Sequence, residues 1–263
     1  MFRKTGFVLA LLLIPSLTLS GTFKNDQLQF SRVRTAYAEK EKVVRGCFSE
    51  KNLSFPPIKI FLRIFKLDRV VELWAEMEEG GKYTLIKTYK VCYSSGVPGP
   101  KRMQNDGQVP EGFYSIEQFN PQSEFYLSLK LNYPNPSDRI LGVQKELGGD
   151  VFLHGNCVSI GCIPITDACI KEVYLLAVEA RDAGQESIPI EVFPTRMDQA
   201  GLGRLAGLYR KDLPIWGFWN NLKEGYDLFE NEGFPPRVTV ARNGRYLFSG
   251  GAGLDDSSMS GGH

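Results

Sequence analysis

Chemistry that needs an imidazole has very few candidates in this sequence. Two histidines occur in 263 residues, His154 and the terminal His263, and a terminal residue is seldom held still. His154 ends the apolar run Val151-Phe152-Leu153, and Cys162 follows eight residues later behind Gly161. A thiol attacks as thiolate, and with a free pKa of about 8.5 little thiolate exists at neutral pH. An imidazole within hydrogen-bond reach takes the thiol proton and later hands it to the leaving group. Gly161 lets the backbone turn tightly, so amides around Cys162 can face a developing oxyanion. One short segment therefore holds the parts of an acyl-transfer site.

Three other readings compete for these residues. Cys157, Cys162 and Cys169 can be disulfide partners or small buried apolar groups. His154, Cys157, Cys162 and Cys169 can be read as four zinc ligands, although gaps of two, four and six residues match no common ribbon or finger. His154 can also be a satisfied core histidine. Nothing in the sequence suggests a cofactor or resident metal.

The elements that must place this segment read as strands followed by helices. Ile58–Lys66, Val70–Met77 and Tyr83–Tyr93 are rich in β-branched and aromatic residues, with Gly80-Gly81 as a turn. A loop dense in glycine and proline follows, from Ser94 through Pro110 to Tyr114. Phe125–Leu131 and Val151–Leu153 read as further strands. A helix begins after Thr166-Asp167, with Ile170, Val173, Tyr174 and Ala177 on one face. A second helical pattern runs through Trp219, Leu222 and Tyr226. Arg237–Ala241 and Tyr246–Phe248 close the chain around Asn243-Gly244.

Composition bounds the function. With 43% hydrophobic and 23% charged residues the chain is globular, and a net charge of +1 gives no electrostatic case for nucleic acid. Met1 to Lys4 is basic and Phe7 to Leu19 is apolar, the pattern of a secretory signal too short to span a bilayer. Thr18-Leu19-Ser20 and Ala36-Tyr37-Ala38 are the two small-residue cleavage sites. Five cysteines in an exported chain leave at least one without an intrachain partner.

His154-Gly155 followed by Ser159-Ile160-Gly161-Cys162 resembles the signature of the L,D-transpeptidase family, the YkuD-type catalytic domain: an HG pair, then [S/T]-x-G-C. Ser95-Gly96-Val97-Pro98-Gly99-Pro100-Lys101 and Pro110-Glu111-Gly112-Phe113-Tyr114 are similar to that family's upstream loop. Asn132-Tyr133-Pro134-Asn135 with Ser137-Asp138-Arg139 resembles a segment of its periplasmic murein-enzyme branch, as does the compact His-Gly-Asn-Cys-x-Ser-Ile-Gly-Cys spelling. The likeness covers Ile58 to Phe248. It implies an α+β, β-rich fold, a mixed β-sandwich with a few helices, over residues 39–249. Residues 1–38 are then a signal peptide and N-terminal segment, and 250–263 a disordered tail.

The resemblance also implies roles. Cys162 attacks the peptide bond after meso-diaminopimelate in the peptidoglycan stem and forms a thioester. His154 is its base, and the Gly155 carbonyl orients the imidazole. Amides of Gly161 and Cys162 line the oxyanion hole, and Ser159 supports the loop. Ile160 stands where the family often has a second histidine, and Pro164 where it has an arginine. Lys101, Arg102 and Arg139 are the cations available to replace that arginine. The expected activity is periplasmic transpeptidation in cell-wall biogenesis, remodelling or cell shape. The alternatives are an amidase freeing a murein-linked lipoprotein, an L,D-carboxypeptidase, or an inactive wall-binding protein. With Cys162 catalytic, four cysteines remain in three possible connectivities, and Cys157 with Cys169 plus Cys47 with Cys92 is the pairing expected. Peptide mapping without reduction should find Cys162 alkylatable in the native protein; a structural disulfide at Cys162 would remove it as nucleophile.

Overall fold

The computed structural model describes residues 22–143 and 146–250. The signal pattern and the tail beyond residue 250 lie outside the described residues.

The chain is α+β around one large curled sheet. Helices α1 (Thr22–Leu28) and α2 (Ser31–Ser49) precede strands β1 (Lys59–Phe65), β2 (Val70–Glu76), β3 (Thr84–Lys90), β4 (Gly112–Asn120) and β5 (Ser128–Leu131). Then come α3 (Pro136–Leu141), β6 (Phe152–His154), β7 (Ile163–Pro164), α4 (Thr166–Asp182) and β8 (Pro189–Phe193). Helices α5 (Gln199–Tyr209) and α6 (Leu213–Glu232) and the hairpin β9 (Arg237–Val240) and β10 (Tyr246–Ser249) complete it. The sheet order is β3-β2-β1-β8-β4-β5-β6-β7, with β1–β8 and β6–β7 parallel. The hairpin forms a separate two-stranded sheet.

Strand β1 shows why the sheet is covered on both faces. Ile60, Leu62 and Ile64 join the core shared with α2 and α4, while Phe61 and Phe65 pack toward Phe229, Phe193 and Tyr226 on the other side. That alternation is the two-residue period of a strand. Arg63 falls on the aromatic side, where its guanidinium lies over four rings and pairs with Glu191 and Glu230. The apolar face read on α4 is buried, and so are Leu175, Leu176, Val178 and Ala180. The reason is that α1 and α2 pack over the side of α4 away from the sheet, which buries both of its sides. Val33, Ala36, Val44 and Phe48 of α2 are buried there. Helices α1 and α2 thus pack on α4 from Thr22 onward.

The curl brings the far ends of the sheet together. Past the end of β3, the Cys92 amide donates to the Pro164 carbonyl of β7 at 3.0 Å. The Gly/Pro loop between β3 and β4 is pinned from beneath by a buried ion pair. Lys66 Nζ sits 2.9 Å from Glu111 Oε1 and donates to the carbonyls of Gly99 and Val109. Glu111 in turn accepts from the Gly99 amide at 2.7 Å and the Trp219 indole at 2.8 Å. Burial pushes the Lys66 pKa down against the pull of Glu111. Lys66→Met would leave the Glu111 carboxylate buried without its cation, so urea unfolding should show a loss of about 3–5 kcal/mol; an unchanged midpoint would refute the pair's role.

Candidate active site

Strand β6 places His154, and a short loop returns the chain beside it. The register pairs Leu153 with Ile163 and His154 with Pro164. Continued by one residue, that register sets Cys162 beside Phe152, so Cys162 and His154 belong to the same side of the pleat. A spacing of eight residues is what a loop of this size needs to make that return.

His154 is buried against the Phe125 ring, at 4.5 Å between centroids. Its Nδ1 donates to the Gly155 carbonyl at 2.5 Å. Nε2 is buried and has no hydrogen-bond partner among the described residues. Burial lowers the imidazole pKa, opposed by the Gly155 carbonyl. The ring is therefore a neutral base with a free lone pair. Gly155 is held too: its amide donates to Leu127, and a Cβ there would meet Asp167 Oδ1 at 2.6 Å and the Phe125 carbonyl at 2.8 Å. Asp167, in the first turn of α4, also accepts from the Asn156 amide at 2.7 Å.

Cys162 Sγ lies 3.5 Å from the Asp150 carbonyl, and no hydrogen bond joins it to His154. Burial pushes the thiol pKa up; a backbone hydrogen bond at Phe152 pulls it down, the Asp150 carboxylate pushes it up and the Lys101 ammonium pulls it down. Burial thus favours the uncharged form of both the thiol and the imidazole. An attack by this thiol would need its proton passed to a base such as Nε2, since burial disfavours a preformed thiolate.

Gly161 has φ +91°, and a Cβ would meet the Gln108 carbonyl at 3.1 Å, so the turn requires glycine. Its amide donates to Ser95 Oγ at 2.7 Å. The Cys162 amide donates to Ser159 Oγ, and the Ser159 hydroxyl donates back to the Cys162 carbonyl, both at 2.8 Å. Both amides expected to face an oxyanion are therefore held by hydroxyls in this structure. Ser159 thus braces the turn at Cys162.

Of the three expected cations, Lys101 alone lines the cavity of about 160 Å³ at Cys162. Its ammonium donates to Asp106 Oδ1 at 2.6 Å and to the Met103 carbonyl at 2.8 Å. Arg102 lines a different cleft, over the Phe218 ring and 3.5 Å from Asp138. Arg139 is exposed on α3 and does not line the Cys162 cavity. Sequence reasoning gave no role to Ser95, Asp106 or Asp150. Asn105-Asp106-Gly107 has the composition of a turn, and Asn105 and Gly107 do take positive φ, which was the available signal for Asp106.

The disulfide expectation is corrected. Cys92 is bonded to Cys157, with Cα atoms 5.6 Å apart, and Cys47, Cys162 and Cys169 are free. The curl decides this, because it lays Cys92 along β7 and beside the His154–Cys162 loop. The Cys92–Cys157 bond also removes Cys157 from the zinc reading.

Comparison with known proteins agrees with the motif. The profile of the L,D-transpeptidase catalytic domain (YkuD) matches residues 67–190. The Escherichia coli K12 protein named "Putative L,D-transpeptidase YafK" is 36% identical over 249 residues, spanning 94% of this chain and 91% of that one. Among solved structures, the helical cell shape determining protein Pgp2 of Campylobacter jejuni is 15% identical with a TM-score of 0.42, covering 75% of this chain and 80% of that one. Its K307A mutant is 21% identical with a TM-score of 0.40, covering 68% and 63%.

The neutral dyad predicts a reactivity profile. The alkylation rate of Cys162, followed by mass spectrometry against pH, should reach its midpoint above that of an ordinary thiol, because a raised pKa leaves less thiolate at any given pH. Lys101→Met should move the midpoint higher still. A midpoint below the ordinary thiol range would show a preformed thiolate instead.

Proposed function

The chain belongs to the L,D-transpeptidase family, and from that membership we propose that it is a cysteine acyltransferase acting on the diaminopimelate of peptidoglycan stem peptides outside the cytoplasm. The observation that carries this reading is the unpartnered, buried Nε2 of His154 on the same side of the pleat as Cys162. Such a lone pair is costly to bury without purpose, and it is what a thiol proton needs. Attack of Cys162 Sγ on the substrate carbonyl breaks the amide, the proton passes through Nε2 to the leaving amine, and a thioester remains. An incoming amine then takes the acyl group and regenerates the thiol.

The oxyanion needs donors, and those nearest are the amides of Gly161 and Cys162. Each must exchange its hydroxyl partner, Ser95 or Ser159, for the substrate oxygen. The Lys101 ammonium supplies positive charge at the same cavity and is the cation we assign to the substrate's carboxylate. Export through the N-terminal signal goes with this substrate; among the described residues no helix is long and apolar enough to cross a membrane.

Pro164, buried in β7 at the place of the family's arginine, favours a second reading, transfer of the acyl group to water. One cation instead of two weakens the hold on a second peptide, and water needs no such hold. In that case the enzyme is an amidase, releasing a murein-linked lipoprotein, or an L,D-carboxypeptidase.

Mass spectrometry of sacculi incubated with the protein, beside its Cys162→Ala variant, tests these readings. New cross-links between diaminopimelate residues, or lipoprotein newly joined to diaminopimelate, are the expected result, and they should vanish in the variant. Loss of lipoprotein or stem residues without new bonds would assign the hydrolase. Sacculus binding without turnover in either sample would overturn both and leave a wall-binding protein.

A further inference from the structure

Two cysteines remain once the Cys92–Cys157 bond and the nucleophile are assigned, and the fold brings them to one place. Helices α2 and α4 pack antiparallel. Tyr37 of α2 lies beside Glu179 of α4, and Lys40 Nζ is 3.3 Å from Glu172 Oε1, so moving down α2 means moving up α4 toward its first turn. Cys47 is one heptad beyond Lys40 on the same helical face, and Cys169 is one turn before Glu172. From the sheet side, Lys87 of β3 donates to Glu172 at 2.6 Å. Both thiols lie within electrostatic reach of that same Lys87 ammonium and of the Tyr89 hydroxyl. Each cysteine is half-buried and packs against the same apolar core. Helix register and a shared pair of neighbours on β3 therefore converge on one juxtaposition.

We propose that Cys47 and Cys169 are an oxidisable pair that closes as a second disulfide, fastening the N-terminal helices to α4. The oxidant is a small-molecule or protein disulfide. One thiolate attacks it to give a mixed disulfide, and the other displaces the oxidant's second sulfur. Two thiols lose two protons and two electrons in all, and the oxidant leaves as a dithiol or as two thiols. The bond ties α2 to the helix whose first turn carries Asp167, the residue beneath Gly155 and Asn156. It does not depend on which acceptor the enzyme uses, so it stands or falls apart from the proposed function.

The test incubates the purified full chain with oxidised glutathione, or with dithiothreitol as control. Both samples are then alkylated and digested without further reduction. The expected result after oxidation is a peptide pair joined through Cys47 and Cys169, two hydrogens lighter than the sum of the free peptides and absent from the control. Cys47→Ser should leave Cys169 modified singly, and Cys169→Ser should do the same for Cys47, with Cys92–Cys157 intact in both. The proposal is overturned if oxidised wild-type protein shows Cys47 and Cys169 each alkylated, each joined to glutathione, or either one joined to Cys162.

Discussion

The site rests on the Lys66–Glu111 ion pair. Both side chains are buried, and a buried charge is tolerable only when its hydrogen-bonding capacity is met. Here the partners that meet it are the backbone of the Gly/Pro loop at Gly99 and Val109 and the indole of Trp219. Electrostatic necessity in the core thereby fixes the course of a loop with little regular structure of its own. That loop carries Ser95 to Gly161 and Lys101 to Cys162. Two of the groups around Gly161 and Cys162 thus owe their position to a pair buried away from them.

His154 and Cys162 sit toward the β6–β7 end of the sheet, where local geometry is enough. Leu153 and Ile163 are paired across a loop held by Ser95, Ser159, the Gly161 turn and a disulfide. Burial shapes both reactive groups in the same sense, favouring the uncharged imidazole and the uncharged thiol. A charge-separated pair would be less stable in this setting than in water, so its formation belongs to the reaction and not to the resting protein.

The sequence made part of this legible. The spacing of His154 and Cys162 was readable because both lie in one local return of the chain, and α4 was readable from its apolar face, although its N-cap is Ile165 and not Thr166 or Asp167. Strand β4 was hidden by the glycines and prolines before it, and β8 is only five residues long. Helix α2 carries a readable apolar stripe at Val33, Ala36, Val44 and Phe48, but the boundary drawn at residue 38 cut through it and hid the helix. The cysteine pairing could not be read at all. Cys92 reaches Cys157 only because eight strands curl until their ends meet, and no local pattern encodes that closure. The separation of Lys101 from Arg102 is similar, since neighbours in a strand-like loop face opposite ways and serve different clefts.

The parallel pairing of β1 with β8 bears on how the molecule must assemble. Leu62 and Ile190 are neighbours in the sheet, yet the loop of His154 and Cys162 and most of the other strands lie between them in the chain. Wherever the chain folds, β1, β2 and β3 are neighbours in sequence and can form a meander early. Its β1 edge then waits, apolar on both faces, until β8 and the helix before it have been made. Contacts this distant in sequence are slow to form, and an open apolar edge invites pairing with other chains. The time of greatest vulnerability for this protein is therefore the interval between those two strands, and a carrier that shields the first third of the chain would protect it most.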